Sequence, residues 1–250
     1  MLNLWEEANG QNEIKPMLAT ICRLVESQEQ AATLSLVQNV YEQGILEDLL
    51  ETTKSELPSA TESLHYLLKT PFRYPPLQHG SRFGNTFETG IFYGSLSILT
   101  ALAETAYYRF VYMLGPETPF SGVISSELTE FSVKIMSDRA ILLDQPPFSN
   151  YETILTSPVS YSTTQFLGSR MRAAGVEAVR YISARDKDLG KNVAIFTPKA
   201  FYSSKPNHFA GWLCHTSVKE VGFIAKESNM RLSYSQQQFW VGNHFPSPAA

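Results

Sequence analysis

Five polar residues stand out by type and setting: Arg82, Tyr93, Glu104, Ser183 and Asn192. Arg82 sits in Gly80-Ser81-Arg82-Phe83-Gly84, a glycine-flanked loop in which backbone can approach a ligand closely and a guanidinium can fork onto a phosphate. Tyr93 lies at the end of the apolar run Ile91-Phe92-Tyr93-Gly94, where a strand would hold its ring rigidly. Glu104 falls among Ala101, Leu102, Ala103 and Ala106, the most apolar turn of the chain. A carboxylate there either faces water or is buried and partnered. Ser183 follows one apolar strand and Asn192 opens the next. Taken singly, each has an ordinary explanation: a mid-helix Glu commonly faces solvent, and Ser and Asn are common turn and cap residues. Arg185 reads as a charge on the rim.

More familiar chemistry is excluded by spacing. The five histidines (65, 79, 208, 215 and 244) contain no HExxH pair, and Cys214-His215 has no second Cys nearby, so no metal is expected. Neither a GxSxG elbow nor a GxxxxGK[ST] loop occurs. Cys214 and His215 are neighbours that would point to opposite faces of a strand, so burial of Cys214 is expected rather than a nucleophile–base pair.

The elements that must position these residues follow from periodicity. From 17 to 53 there is no Pro and one Gly, and apolar residues recur at spacings of three and four, which predicts helices with a break at Gly44. Residues 55–63 read as a linker, 70–76 as irregular because of Pro71, Pro75 and Pro76, and 80–90 as a loop. A short strand over 91–94 precedes a helix over 97–113, capped by Ser95 or Ser97 and ended by Gly115-Pro116. Paired strands are expected at 128–135 and 140–143, a second helix at 161–174, and further strands at 177–182, 193–196 and 218–225. Strands and helices alternate without a strict βαβ rhythm, which predicts an α+β fold with a mixed sheet. The domain reading is a helical extension over 1–66, packed as a layer on a body over 67–250.

Composition sets the frame. With 250 residues, 43% hydrophobic and 18% charged, the chain can build a full core. Net charge is −4. Residues 1–70 carry eleven acidic and four basic side chains, whereas the rest carries thirteen and sixteen. An acidic front thus precedes a mildly basic body suited to an anionic small molecule. No basic stripe predicts nucleic-acid contact, no apolar stretch reaches membrane-spanning length, and two cysteines without a secretory leader predict a cytoplasmic protein.

Taken together, GSRFG, GIFYGS, ALAE, YISAR and NVAIF, in that order, resemble the RES-domain family, named for its Arg, Glu and Ser. Eleven residues separate Arg82 from Tyr93, eleven separate Tyr93 from Glu104, and 79 separate Glu104 from Ser183. Two departures stand out: Phe83 replaces a tryptophan after the arginine, and Thr197-Pro198 replaces Asn-Pro. The resemblance implies a curved, split β-sheet similar to ADP-ribosyltransferase toxins. It also implies a toxin that breaks the nicotinamide–ribose bond of NAD⁺, with water or inorganic phosphate as acceptor and no metal. Under it, Glu104 would stabilise the charge growing on the ribose and Arg82 would grip the pyrophosphate. Tyr93 would stack on or orient nicotinamide, while Ser183 and Asn192 would hydrogen-bond ribose or carboxamide. The implied partner is a cognate helix-turn-helix antitoxin that blocks the pocket, giving a hetero-oligomer. Transfer of ADP-ribose to a protein and a non-catalytic interaction role are the alternatives.

Overall fold

In order, the chain forms α1 (Leu4–Glu7), β1 (Lys15–Glu26), α2 (Val40–Thr53), α3 (Tyr66–Arg73), β2 (Phe92–Ser95), α4 (Ile98–Leu114) and β3 (Ile124–Leu142). There follow α5 (Glu152–Leu155), α6 (Ser162–Ala173), β4 (Ala178–Ile182), β5 (Lys191–Ile195), β6 (His208–Thr216), β7 (Glu220–Ala225) and β8 (Arg231–Ser235). This is a computed structural model, and it describes residues 2–27, 36–74, 76, 78–118 and 120–247.

One mixed sheet of eight strands organises these elements, in the order β1-β2-β5-β4-β3-β6-β7-β8, and β1 also pairs with β3. The 19-residue β3 is the shared member. Its first half pairs with β6, from Ile124 with Thr216 to Ser132 with His208. Its last three residues run parallel to β4, from Ala140 with Ala178 to Leu142 with Arg180. β1 lies antiparallel to it and meets β2 at Cys22 and Ser95. The strands β1-β2-β5-β4-β3 thus come round on themselves, with β6-β7-β8 as an outer meander. The α+β expectation holds.

Helix α4 forms because its sequence is rich in Ala, Leu and aromatic residues without Gly or Pro, and because the Ser97 side chain caps it by accepting from the Leu99 N–H. Leu102, Ala106, Tyr107 and Phe110 pack against Trp212, Cys214, Val221 and Phe223 of β6 and β7. That burial fixes the helix against the sheet. Cys214 is fully buried and His215 exposed, as strand alternation requires.

Several expectations need correction. Residues 17–26, expected as helix, belong to strand β1. Their apolar spacing of three and four mimics a helix, but eleven register pairs with β3 outweigh local propensity. Gly44 lies inside α2 rather than between two helices, and α2 buries none of its residues. Residues 28–35, also expected as helix, lie outside the described residues. The two strands expected at 128–135 and 140–143 are one strand. The segment read as irregular through Pro71 is partly α3, which carries Pro71 near its end at the loss of one i→i−4 hydrogen bond. Strands β6 and β8 were not expected.

Candidate active site

A turn carries Arg82. Ser81 N–H donates to Gly84 O at 2.8 Å and Gly84 N–H returns to Ser81 O at 3.3 Å. Gly80 enters this turn at φ +69°, the left-handed region that favours glycine. On its far side Gly168 of α6 presses against the Phe83 carbonyl so closely that a Cβ would lie 2.0 Å from its oxygen. Phe83 is fully buried, edge-on to Tyr181. Tyr93 fastens the turn from β2, accepting from Phe83 N–H (3.2 Å) and donating to Ser81 Oγ (2.9 Å). Burial pushes the Tyr93 phenol up to about 12, so it stays protonated at neutral pH.

The turn, α4, β1, β2 and β5 enclose a cleft of about 880 Å³ whose lining includes Arg23, Arg82, Tyr93, Glu104, Tyr108, Tyr161 and Asn192. Glu104 projects from α4. Its Oε1 accepts two short hydrogen bonds, from Ser183 Oγ and Asn192 Nδ2, each 2.6 Å long. Both donors are oriented by further bonds. Ser183 Oγ accepts from the N–H groups of Arg185 and Asp186 at 3.1 Å each, so both its lone pairs are occupied and its proton is directed to the carboxylate. Asn192 Oδ1 accepts from Ser95 Oγ at 2.6 Å, which fixes the amide with Nδ2 toward Glu104. Ser95 and Asn192 are register partners of β2 and β5. Glu104 is thereby held as a hydrogen-bond acceptor, while Oε2 has no hydrogen bond among the described residues.

Of the five residues singled out from sequence, Arg82, Tyr93, Glu104 and Asn192 line this cleft. Ser183 lies one hydrogen bond behind it, 2% exposed. Arg82 is also largely enclosed: Nη1 donates to Leu155 O (2.9 Å) and Ser157 O (3.1 Å), and the guanidinium lies over the Tyr161 ring. Arg185, expected at the rim, is buried instead. It stacks on Tyr107 at 3.6 Å and donates to Pro158 O and Tyr161 Oη, because the turn after β4 aims it inward.

Sequence reasoning missed Arg23. This residue of β1 lines the cleft over the Phe92 ring, and its buried Nη1 has no hydrogen-bond partner. Burial lowers its pKa to about 10, so it remains charged at neutral pH. A buried guanidinium nitrogen with no hydrogen-bond partner among the described residues is costly. The available signal was a lone arginine inside Ala19-Thr20-Ile21-Cys22-Arg23-Leu24-Val25, masked by the helical reading of that stretch. Ser95, read only as a helix cap, was missed as the residue that orients Asn192. Among the described residues, no group of three or more His, Cys, Asp or Glu is placed to hold a metal ion, and no helix is long and apolar enough to cross a membrane.

The RES domain model matches residues 57–216, well over half of the chain and the segment that carries Arg82, Tyr93, Glu104, Ser183 and Asn192. The chain belongs to the RES family. The family match begins after β1, so Arg23 comes from outside it although its side chain shares the cleft. Among solved structures, the chain is similar to one in the crystal structure of the M. tuberculosis MbcT–MbcA toxin–antitoxin complex. The identity is 11%, the TM-score is 0.49, and the alignment covers 84% of this chain and 91% of that one. Curated proteins gave no match.

Proposed function

We propose that this RES-family protein cleaves NAD⁺ between nicotinamide and ribose and acts as the toxin of a toxin–antitoxin pair. The observation that carries the reading is the Glu104 carboxylate, pinned through one oxygen by Ser183 and Asn192 on the wall of a cleft that also holds the Arg23 guanidinium with its unbonded Nη1.

The chemistry follows from charge. When the C1′–N bond breaks, both electrons leave with nicotinamide and neutralise its ring, while positive charge develops across C1′ and the ribose ring oxygen. A carboxylate already oriented at that position stabilises the transition state more than mobile water does. The two bonds to Oε1 hold Glu104 in place, so that its charge is available through Oε2. The oxygen of water, or of inorganic phosphate, then bonds to C1′. With water a proton is released, giving ADP-ribose; with phosphate the product is ADP-ribose 1″-phosphate. Arg23, with a donor to spare, grips the pyrophosphate. Arg82 supports that wall through its carbonyl bonds and through Tyr161, and Tyr93 presents its ring to the nicotinamide end while holding the Arg82 turn.

A chain that drains NAD⁺ endangers its own cytoplasm, so a cognate helix-turn-helix antitoxin that covers the cleft in a hetero-oligomer belongs to the proposal. Incubation of the purified protein with NAD⁺, with and without phosphate, tests it. Free nicotinamide with ADP-ribose or its 1″-phosphate is the expected result. Label retained on protein would instead establish transfer, and intact NAD⁺ would refute the activity.

A further inference from the structure

Helix α4 presents two distinct faces. Leu102, Ala103, Ala106, Tyr107, Phe110 and Met113 are buried. Ala101, Glu104, Thr105, Tyr108, Arg109 and Tyr112 recur at spacings of three and one and all line the cleft. The stripe therefore continues two turns beyond Glu104, and its outer members are large aromatic rings left uncovered: Tyr108 is 48% and Tyr112 67% exposed. Tyr108 has an edge contact with Tyr107, whereas no ring contact is present at Tyr112 among the described residues.

The opposite wall runs alongside for the same distance. Cys22 of β1 abuts Ser95 at the inner end, and Glu26 further out reaches α4 through an ion pair with Arg109 at 3.0 Å. From Glu104 to Tyr112 the helix rises ~12 Å, and from Cys22 to Glu26 the strand advances ~13 Å. Arg23 lies on the strand just outside the inner end. The lining of the cleft thus includes a carboxylate, a guanidinium with an unbonded Nη1 and an aromatic stripe. Ribose, pyrophosphate and the second base of a dinucleotide call for those three kinds of group. At about 880 Å³ the cleft is toward the upper end of the range for small-molecule sites.

We infer that Tyr108 and Tyr112 form a nucleobase subsite, on which the adenine of the substrate stacks. The inference rests on the NAD⁺ reading above and extends it: these rings determine that the enzyme prefers a dinucleotide over nicotinamide mononucleotide. A base-stacking aromatic contributes binding without touching the reacting bond, so its loss raises KM and spares kcat.

Steady-state kinetics on NAD⁺ and nicotinamide mononucleotide test this. Tyr112→Ala and Tyr108→Ala are each expected to raise the KM for NAD⁺ about tenfold, with kcat within twofold. The preference for NAD⁺ over the mononucleotide, as a ratio of kcat/KM values, falls by the same factor. Tyr112→Phe is expected to restore the ratio, because the ring and not the hydroxyl does the stacking. An unchanged ratio in both alanine variants overturns the subsite. If neither nucleotide releases nicotinamide, the catalytic reading has failed, and calorimetric titration with ADP decides the subsite separately. Binding to the wild type that weakens about tenfold in the alanine variants upholds it; no binding, or equal binding by all, refutes it.

Discussion

Arg23 and Arg82 face one cleft and differ in what their guanidinium groups already do. Arg82 spends Nη1 on two backbone carbonyls and rests on Tyr161. Arg23 has a buried Nη1 with no hydrogen-bond partner among the described residues, and a ring beneath it. One cation therefore holds the site together, while the other keeps a donor unspent, which the proposed function assigns to the substrate's pyrophosphate. The same division separates Oε1 of Glu104, which accepts two bonds, from Oε2, which accepts none among the described residues. A polar group that folding has satisfied stabilises the fold, whereas one left unsatisfied costs stability and is retained for function.

The sharpest test of the ready side is Glu104→Gln. The amide oxygen can still accept from Ser183 and Asn192, so the fold is expected to persist while NAD⁺ turnover falls by about two orders of magnitude or more, read by nicotinamide release. Normal turnover in a folded variant would remove Glu104 from the chemistry. Next come the two arginines. Arg82→Met leaves the Leu155 and Ser157 carbonyls unpaired and is expected to destabilise by about 2–4 kcal/mol, seen as a lowered thermal midpoint. Arg23→Met removes an unpaired buried charge, so the midpoint should hold or rise, while the KM for NAD⁺ increases roughly tenfold or more. The opposite pattern would reverse the two assignments.

A smaller effect is expected for Ser95→Ala. Without that donor the Asn192 amide is free to turn over, and kcat should fall several-fold with KM little changed, because Ser95 acts by positioning. The smallest effect concerns alkaline stability. The Tyr93 phenol has a pKa of about 12 in the fold against about 10 in an unfolded chain. Its contribution to stability is therefore complete below pH 10 and is lost as pH rises toward 12. Tyr107 and Tyr234 titrate in the same window, so Tyr93→Phe should make the decline in urea midpoint shallower without abolishing it.

Much of the inner architecture was legible in the sequence. Helix α4 with its Ser97 cap, helix α6 and strands β2, β4 and β5 fall close to where local periodicity and turn residues place them. Those elements are short or strongly patterned, and their neighbours agree with their own propensities. β1 was illegible because its identity as a strand is conferred by β3, more than a hundred residues later. Arg23 was hidden with it. β3 looked like two strands because its burial alternation changes where it exchanges β6 for β4 as a neighbour. At the site, the order of the polar residues was visible through family resemblance. Their individual bonds were not, since Ser95 and Tyr161 matter only through residues far away in the chain.

The pinning of Glu104 has a consequence for biosynthesis. Its two donors lie 79 and 88 residues downstream, so a ribosome that has made α4 has produced a carboxylate with no fixed orientation. The centre comes into being only after Asn192 has emerged and β5 has docked beside β2. On the NAD⁺-cleaving reading proposed above, the growing polypeptide is inactive until then, and the proposed antitoxin has that interval in which to arrive.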